Sequence, residues 1–299
     1  MAVGFDTSLD SKAWEHFYEK GTDDIPLHYV RKGNGQPVIL LHGWPGFWFD
    51  WRYVIPGLSQ HCDVIAPDFR GFGDSGKPEI QPSEGYTPGH LASDIINLMN
   101  TLNIQKAVFV AHDIGATVSQ TIARDYPEYV KGLVLLNPPY PGIGSRRFDA
   151  SIQKEFWYQH LHSLPLAEML IGGSADSINH YISHFYHHWK GKKSTITAGD
   201  LADIIRVYSR PGHFNKSIAY YKARAAAKTV QAVNQYSSLP IHQTTKVLWG
   251  EDDPVIPVSW SDKLGEHFSD VTLETLPGIG HFVPFEAPER VIDAVLALA

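Results

Sequence analysis

Short apolar runs rich in β-branched residues recur along the chain, at Pro37 to Leu41, Val64 to Ala66, Lys106 to Ala111, Gly132 to Leu136 and Thr245 to Trp249. Runs this short, apolar at successive positions, predict strands buried on both faces. Between them the period changes. Leu91, Ile95, Leu98 and Leu102 recur at helical spacing within Tyr86 to Leu102, and Ala116 to Asp125 predicts a second helix. Strands alternating with helices predict an α/β fold with a mostly parallel central sheet flanked by helices. From about Pro138 to Ser238 aromatic and His-rich helical segments replace the apolar runs: Phe156 to Ile171, Ile178 to Trp189, Leu201 to Tyr208 and Ile218 to Val230. The strand pattern then resumes at Lys246 and ends in a helix over Pro288 to Ala299. The expected organisation is one core domain, residues 1–137 and 239–299, interrupted by a helical cap over residues 138–238, with the active site between them.

Composition narrows the functions. The 299 residues, 43% of them hydrophobic, suffice for a sizeable core. The net charge of −7 has no basic run to oppose it, which argues against nucleic acid and anionic membrane as partners. A small neutral, apolar substrate and water are the expected partners, with homodimer formation left open. The lone Cys62 cannot form an internal disulfide, and the first residues, MAVGFDTSLD, lack a secretory apolar stretch. No uninterrupted apolar run approaches the roughly 20 residues of a membrane helix. A cytoplasmic protein is the expectation.

The chemistry centres on Lys106-Ala-Val-Phe-Val-Ala-His-Asp-Ile-Gly115, a strand that runs into a tight turn and then a helix, with small residues around Asp113. This is the G-x-S-x-G context of a nucleophile elbow, with Asp113 in place of the serine and Ala111 in place of the first glycine. A serine must lose a proton to attack; an aspartate, with an ordinary pKa of about 3.9, is already ionised at neutral pH. Carboxylate attack on an ester or amide would give a high-energy anhydride, whereas attack on saturated carbon gives an ester that water can cleave. Helix capping is the plain structural alternative for Asp113. Two candidate partners follow in nucleophile, acid, histidine order. The acid lies in Leu248-Trp-Gly-Glu-Asp-Asp-Pro254, with Asp253 preferred, then Asp252 and Glu251; the histidine is His281, in a Gly-rich loop after the strand-like Val271 to Leu276. His42-Gly-Trp-Pro45, ahead of Asp68 to Ser75, can offer the Trp44 N–H beside that of Ile114 as an oxyanion hole.

With these motifs, nearly the whole chain resembles the α/β-hydrolase superfamily, specifically its aspartate-nucleophile branch of epoxide hydrolases, haloalkane dehalogenases and fluoroacetate dehalogenases. The resemblance implies an α/β-hydrolase fold with an inserted helical cap, and no cofactor or metal. The branches differ in what receives the leaving group. Epoxide hydrolases of this type carry one tyrosine in the first cap helix and one before a basic residue in a later cap helix; Tyr158 matches the first and Tyr221 the second, with Tyr220 its rival. Such hydroxyls can protonate a departing alkoxide. Fluoroacetate dehalogenases place arginines where this chain has Ile114 and Thr117, and haloalkane dehalogenases place a halide-binding tryptophan where it has Ile114. Many epoxide hydrolases share that tryptophan, so Ile114 departs from their pattern too. The resemblance therefore implies an epoxide hydrolase forming a vicinal diol through an ester on Asp113, with a dehalogenase as the alternative and a non-catalytic small-molecule receptor as a third reading. Phe47, Trp48, Trp157 and Phe282, with Trp44 and Trp51, are candidate pocket residues. His180, His184, His187 and His188 share helix faces but lack a companion ligand motif, and amphipathic packing explains them.

Overall fold

In the computed structural model, which describes residues 6–226 and 240–299, the predicted apolar runs become the inner strands of one eight-stranded sheet. The strands are β1 (His16–Lys20), β2 (Pro26–Lys32), β3 (Gln36–Leu41), β4 (Cys62–Pro67), β5 (Ala107–His112), β6 (Val130–Leu136), β7 (Thr245–Gly250) and β8 (Val271–Leu276). Across the sheet they lie in the order β1-β2-β4-β3-β5-β6-β7-β8. The β1–β2 and β2–β4 pairs are antiparallel and every later pair is parallel. All six residues of β5 and of β4 are buried, because helices cover both faces of the sheet at its centre. Each fully buried Val, Leu or Phe there contributes about 1.5–3 kcal/mol relative to exposure.

The short helices α1 (Ile55–Leu58) and α2 (Pro82–Gly85) precede α3 (Pro88–Thr101) and α4 (Ile114–Asp125). Thr87 caps α3 by accepting the His90 N–H, and Pro88 occupies the first position, where a missing N–H costs nothing. Between β6 and β7 the chain forms α5 (Ala150–Ser163), α6 (Pro165–Leu170), α7 (Ala175–His188), α8 (Ala198–Tyr208), α9 (His213–Ser217) and α10 (Ala219–Ala226). The segment expected as one helix over Phe156 to Ile171 is two. Pro165 has no N–H to continue α5 and holds Leu164 in extended backbone, φ −98° and ψ 145°. The expected helix to Val230 and the boundary at residue 238 run past Ala226 into residues outside the described ones.

The helical insert is tied to the β3 loop through buried polar contacts. Tyr186 of α7 and Tyr208 of α8 donate to the carbonyls of Pro45 and Gly46. The Arg52 guanidinium pairs with Asp200 of α8 at 2.5 Å and lies against the rings of Phe49, Tyr53 and Phe285. A buried guanidinium needs such a carboxylate, since an unpaired buried charge is costly. Among the described residues no helix is long and apolar enough to cross a membrane.

Candidate active site

Asp113 stands between β5 and α4 with φ 50° and ψ −114°, a conformation that costs a non-glycine residue about 1–3 kcal/mol. The turn is sharp because α4 starts against the end of β3: a Cβ on Gly115 would lie 2.2 Å from the Leu41 carbonyl oxygen. Capping does not explain the aspartate. Its side chain makes no cap bond, and the Gly115 N–H donates instead to His42 O at 3.0 Å.

The loop after β3 delivers the Trp44 N–H to Asp113 Oδ1 at 3.1 Å. Gly43 allows this approach, since a Cβ there would sit 2.5 Å from Asp113 Cβ. His42 holds the loop from behind: its Nδ1 donates to Gly43 O at 2.9 Å, and its Nε2 accepts the Phe69 N–H at 3.1 Å. Asp68 accepts the Trp48 N–H at 2.7 Å and a bond from His28 Nδ1 at 2.7 Å. Burial pushes the Asp113 carboxyl above the usual carboxylate range, while His281 and the N–H groups of Trp44 and Ile114 pull the other way.

On the far side of the carboxylate, His281 Nε2 lies 4.0 Å from Asp113 Oδ2 and has no hydrogen-bond partner. His281 Nδ1 donates to Asp253 Oδ2 at 2.8 Å, which leaves Nε2 as the basic nitrogen of the neutral ring. Asp253 Oδ1 accepts the N–H groups of Val255 and Ile256, so this carboxylate is oriented by its own turn. Of the other two acids considered, Asp252 faces Lys192 and Glu251 is exposed. Burial disfavours protonated His281, but the pull of Asp253, reinforced by Asp113 and Glu286, outweighs it and leaves the pKa above the ordinary imidazole value.

The insert closes the site from above. Tyr158 on α5 and Tyr221 on α10 are 1% and 4% exposed, with ring centroids 5.6 Å apart, and the Tyr158 hydroxyl accepts a hydrogen bond from Gln159 Nε2 at 3.1 Å. Burial, with the nearby Asp113 charge adding to it, pushes both phenols above the ordinary tyrosine range, so both are held as proton donors. Tyr220 is buried as well, with its ring centroid 5.6 Å from that of Tyr221. The Trp44 indole stacks on Tyr158 at 5.5 Å and 11°.

The structure brings Phe282 against His281, with ring centroids 5.5 Å apart. Phe47 and Trp48 instead pack with each other and Phe49, and Trp48 with Trp14 and His16. Trp157 is 40% exposed, on Tyr181 and His184. The aromatic wall was missed in part: Trp189, at the end of α7, lies 5.1 Å from His281 and 5.2 Å from Tyr158, and Phe185 lies 5.3 Å from Tyr158. Ile178, Ile182, Phe185 and Trp189 form one helical stripe, a signal for this wall present in the sequence.

Three polar residues near the site were also missed. Asn137, at φ 42° beyond β6, donates Nδ2 to Asp253 Oδ2 at 2.6 Å and to Gly280 O at 3.0 Å, and accepts the Gly250 N–H at 2.7 Å. Glu286 accepts the N–H groups of Gly191, Gly280 and Phe282, fixing the loop that carries His281. His162, one turn beyond Tyr158, bonds the Tyr181 hydroxyl at 3.0 Å, and burial lowers its pKa to about 3. On α7, His188 bonds Glu155 at 2.7 Å and His187 bonds Ser183 O at 2.7 Å. Among the described residues no group of three His, Cys, Asp or Glu side chains could hold a metal ion.

Comparison with known proteins places these features in a family. The family model for the alpha/beta hydrolase fold matches residues 36–288. The soluble epoxide hydrolase of Corynebacterium sp. (strain C12) is 30% identical over 282 residues, 90% of this chain and 92% of that protein. The Nostoc sp. PCC 7120 protein ALR0039, of α/β-hydrolase type, superposes with a TM-score of 0.85 at 28% identity, covering 95% of this chain and 97% of its own. The ligand-free epoxide hydrolase CorEH superposes with a TM-score of 0.71 at 26% identity over 95% and 98% of the two chains.

Proposed function

This chain belongs to the α/β-hydrolase fold family and is a hydrolase resembling the epoxide hydrolases, and from that premise we propose that it converts an epoxide to a vicinal diol through a covalent ester on Asp113. The observation that carries the reading is the pair of buried, protonated phenols, Tyr158 and Tyr221, with rings 5.6 Å apart and near a carboxylate whose charge both of them feel. An epoxide needs both parts at once, a nucleophile for carbon and an acid for the oxygen that stays tethered to the product.

In this mechanism the Trp44 and Ile114 N–H groups hold Asp113 Oδ1, and Oδ2 attacks a ring carbon. The C–O bond breaks, and its electron pair takes a proton from one phenol while the other phenol donates a hydrogen bond. His281 Nε2 then removes a proton from water as the oxygen attacks the ester carbonyl. The oxyanion forms on Oδ1, the oxygen that the Trp44 N–H already holds, with the Ile114 N–H beside the carboxylate to join it. Collapse expels the diol alkoxide, which is protonated as His281 returns to its neutral form, and the carboxylic acid left on Asp113 gives its proton to the phenolate, restoring both the carboxylate and the phenol. Asp253 orients the imidazole and steadies its charged form. The helical insert between β6 and β7 serves as the cap: it supplies both phenols and, with Trp189, Phe185 and Phe282, the apolar walls around the reacting carbons. We place the protein in a reducing, cytoplasmic setting, in keeping with its one buried cysteine.

One feature favours a second reading: Trp44 Nε1 is buried without a partner beside Tyr158, and an indole N–H can receive a halide as well as an alkoxide. Product analysis separates the two. Aryl and alkyl epoxides, a bromoalkane and fluoroacetate should give diol from the epoxides and no halide; halide without diol would move the chain to the dehalogenases and leave the two tyrosines a structural role.

A further inference from the structure

Buried and half-buried arginines in this protein generally face a carboxylate, as Arg52 faces Asp200 and Arg70 faces Asp94. Arg147 and Arg224 do not. Among the described residues neither forms an ion pair, and Arg147 Nε is buried with no hydrogen-bond partner. Arg147 lies ahead of α5 with its guanidinium 4.9 Å from the Phe148 ring centroid; Arg224, in the last turn of α10, has its guanidinium 5.9 Å from the Tyr220 centroid. The two are near enough to repel: burial, and then the Arg224 charge, hold Arg147 below the usual guanidinium range. Both charges act on Tyr220, and that of Arg224 also reaches Tyr158 and Asp113.

Two guanidiniums that repel each other, one of them with an unpaired buried donor, are better accommodated when an anion joins them. A carboxylate is suited to the place, because guanidinium donors match its two oxygens and the pair would neutralise each other's repulsion. Their position beside Tyr220, next in the chain to a proposed proton donor, makes the anion part of the substrate rather than a separate ligand. We propose that Arg147 and Arg224 hold a carboxylate on the substrate, so that the preferred substrates are epoxides carrying an acid group away from the ring. This inference rests on the epoxide-opening reading for what reacts, and it replaces the expectation of a wholly neutral substrate. That expectation came from the net charge of −7 and from Ile114 and Thr117 standing where a carboxylate-binding arginine would be, whereas the guanidiniums come from the two ends of the insert.

The test uses 4-(oxiran-2-yl)benzoate, its neutral carboxamide, and the diols of both. Titration calorimetry with the diols, which need no chemistry, should show the acid bound at least tenfold tighter than the amide, with the ratio of the two affinities falling toward one in Arg147→Gln and in Arg224→Gln. Circular dichroism melts confirm that the variants are folded. Equal affinity of the intact protein for the two diols, no measurable binding of the acid, or variants that keep the preference would overturn the inference. The epoxides address the underlying reading separately. Preferential binding of the acid diol with neither epoxide consumed would sink the epoxide reading and leave the anion site standing; both epoxides consumed at equal kcat/KM with equal diol affinities would do the reverse.

Discussion

Asn137→Ala probes how the proposed base is held. The wild-type side chain is fully buried and makes three hydrogen bonds, to Asp253, Gly280 O and Gly250 N. Truncation leaves the Gly250 N–H and the Gly280 carbonyl without these partners, at about 1–3 kcal/mol for each group. It also puts alanine at φ 42°, a left-handed conformation that asparagine tolerates better, for roughly another 1 kcal/mol. The total, about 3–7 kcal/mol, is a large share of the roughly 5–15 kcal/mol that holds a domain folded. A melting temperature lower by about 10 °C is expected by calorimetry. The catalytic signature is more specific than the stability loss. Asp253 loses one of its four donors while Asp113 keeps the Trp44 N–H, so ester hydrolysis should slow at least tenfold while ester formation is spared. In stopped-flow single turnovers the ester should then accumulate. Asn137→Asp, which keeps the acceptor for Gly250 but sets a second carboxylate against Asp253, should show the same split, with the repulsion between the two buried carboxylates adding to the stability loss as pH rises. Equal slowing of both steps, or an unchanged melting temperature, would refute a positioning role.

The two phenols should be partly redundant: Tyr158→Phe and Tyr221→Phe are each expected to lower kcat/KM for epoxide opening by about 10–100-fold, and the double variant by about 10³-fold or more, within the range general acids supply. Additive, small losses would count against either as donor. The proposed mechanism requires both ionised Asp113 and neutral His281, and both pKa values are raised, so turnover should fall as pH drops through the raised His281 value. The phenols, raised above the ordinary tyrosine range, should impose no loss below about pH 10. Glu286→Gln removes a charge that helps protonate His281, so the acid limb of kcat should move to lower pH; movement upward would contradict the assignment. Asp113→Asn should abolish turnover yet raise the melting temperature at pH 7. A buried carboxyl with a raised folded pKa loses stability, relative to a neutral side chain, as pH rises through the interval from its ordinary value to the raised one. The gain should therefore vanish near pH 3, which melts across a pH series will show.

The parts of this fold legible in the sequence are those where burial leaves one reading. β3 to β7 are apolar at successive positions because helices cover both faces, and the turn and loop residues that carry Asp113, Asp253 and His281 are marked by glycine and proline. β1 was not legible: His16, Phe17, Tyr18 and Lys20 are all exposed on an edge strand, so no apolar run announces it. In β2, His28 and Arg31 interrupt the hydrophobic run, and each is bonded to an aspartate distant in sequence. Asn137 and Glu286 were hidden for the same reason, since their partners are backbone groups of other loops. Aromatic side chains misled most. Trp48 fills the core beside Trp14, whereas Trp189, identical in type, borders His281, and only packing separates the two cases. Arg147 and Arg224, far apart along the chain, come within electrostatic reach of each other only through the fold of the insert.

The central claim is a covalent ester on Asp113 that His281 exists to hydrolyse, and His281→Gln tests it most directly. The purified variant, incubated with styrene oxide and examined by intact-mass spectrometry, should gain the mass of one epoxide, with the added mass on the peptide that contains Asp113. A variant that remains unmodified under conditions where the wild type forms diol, or one modified only on another residue, would contradict a carboxylate nucleophile at Asp113.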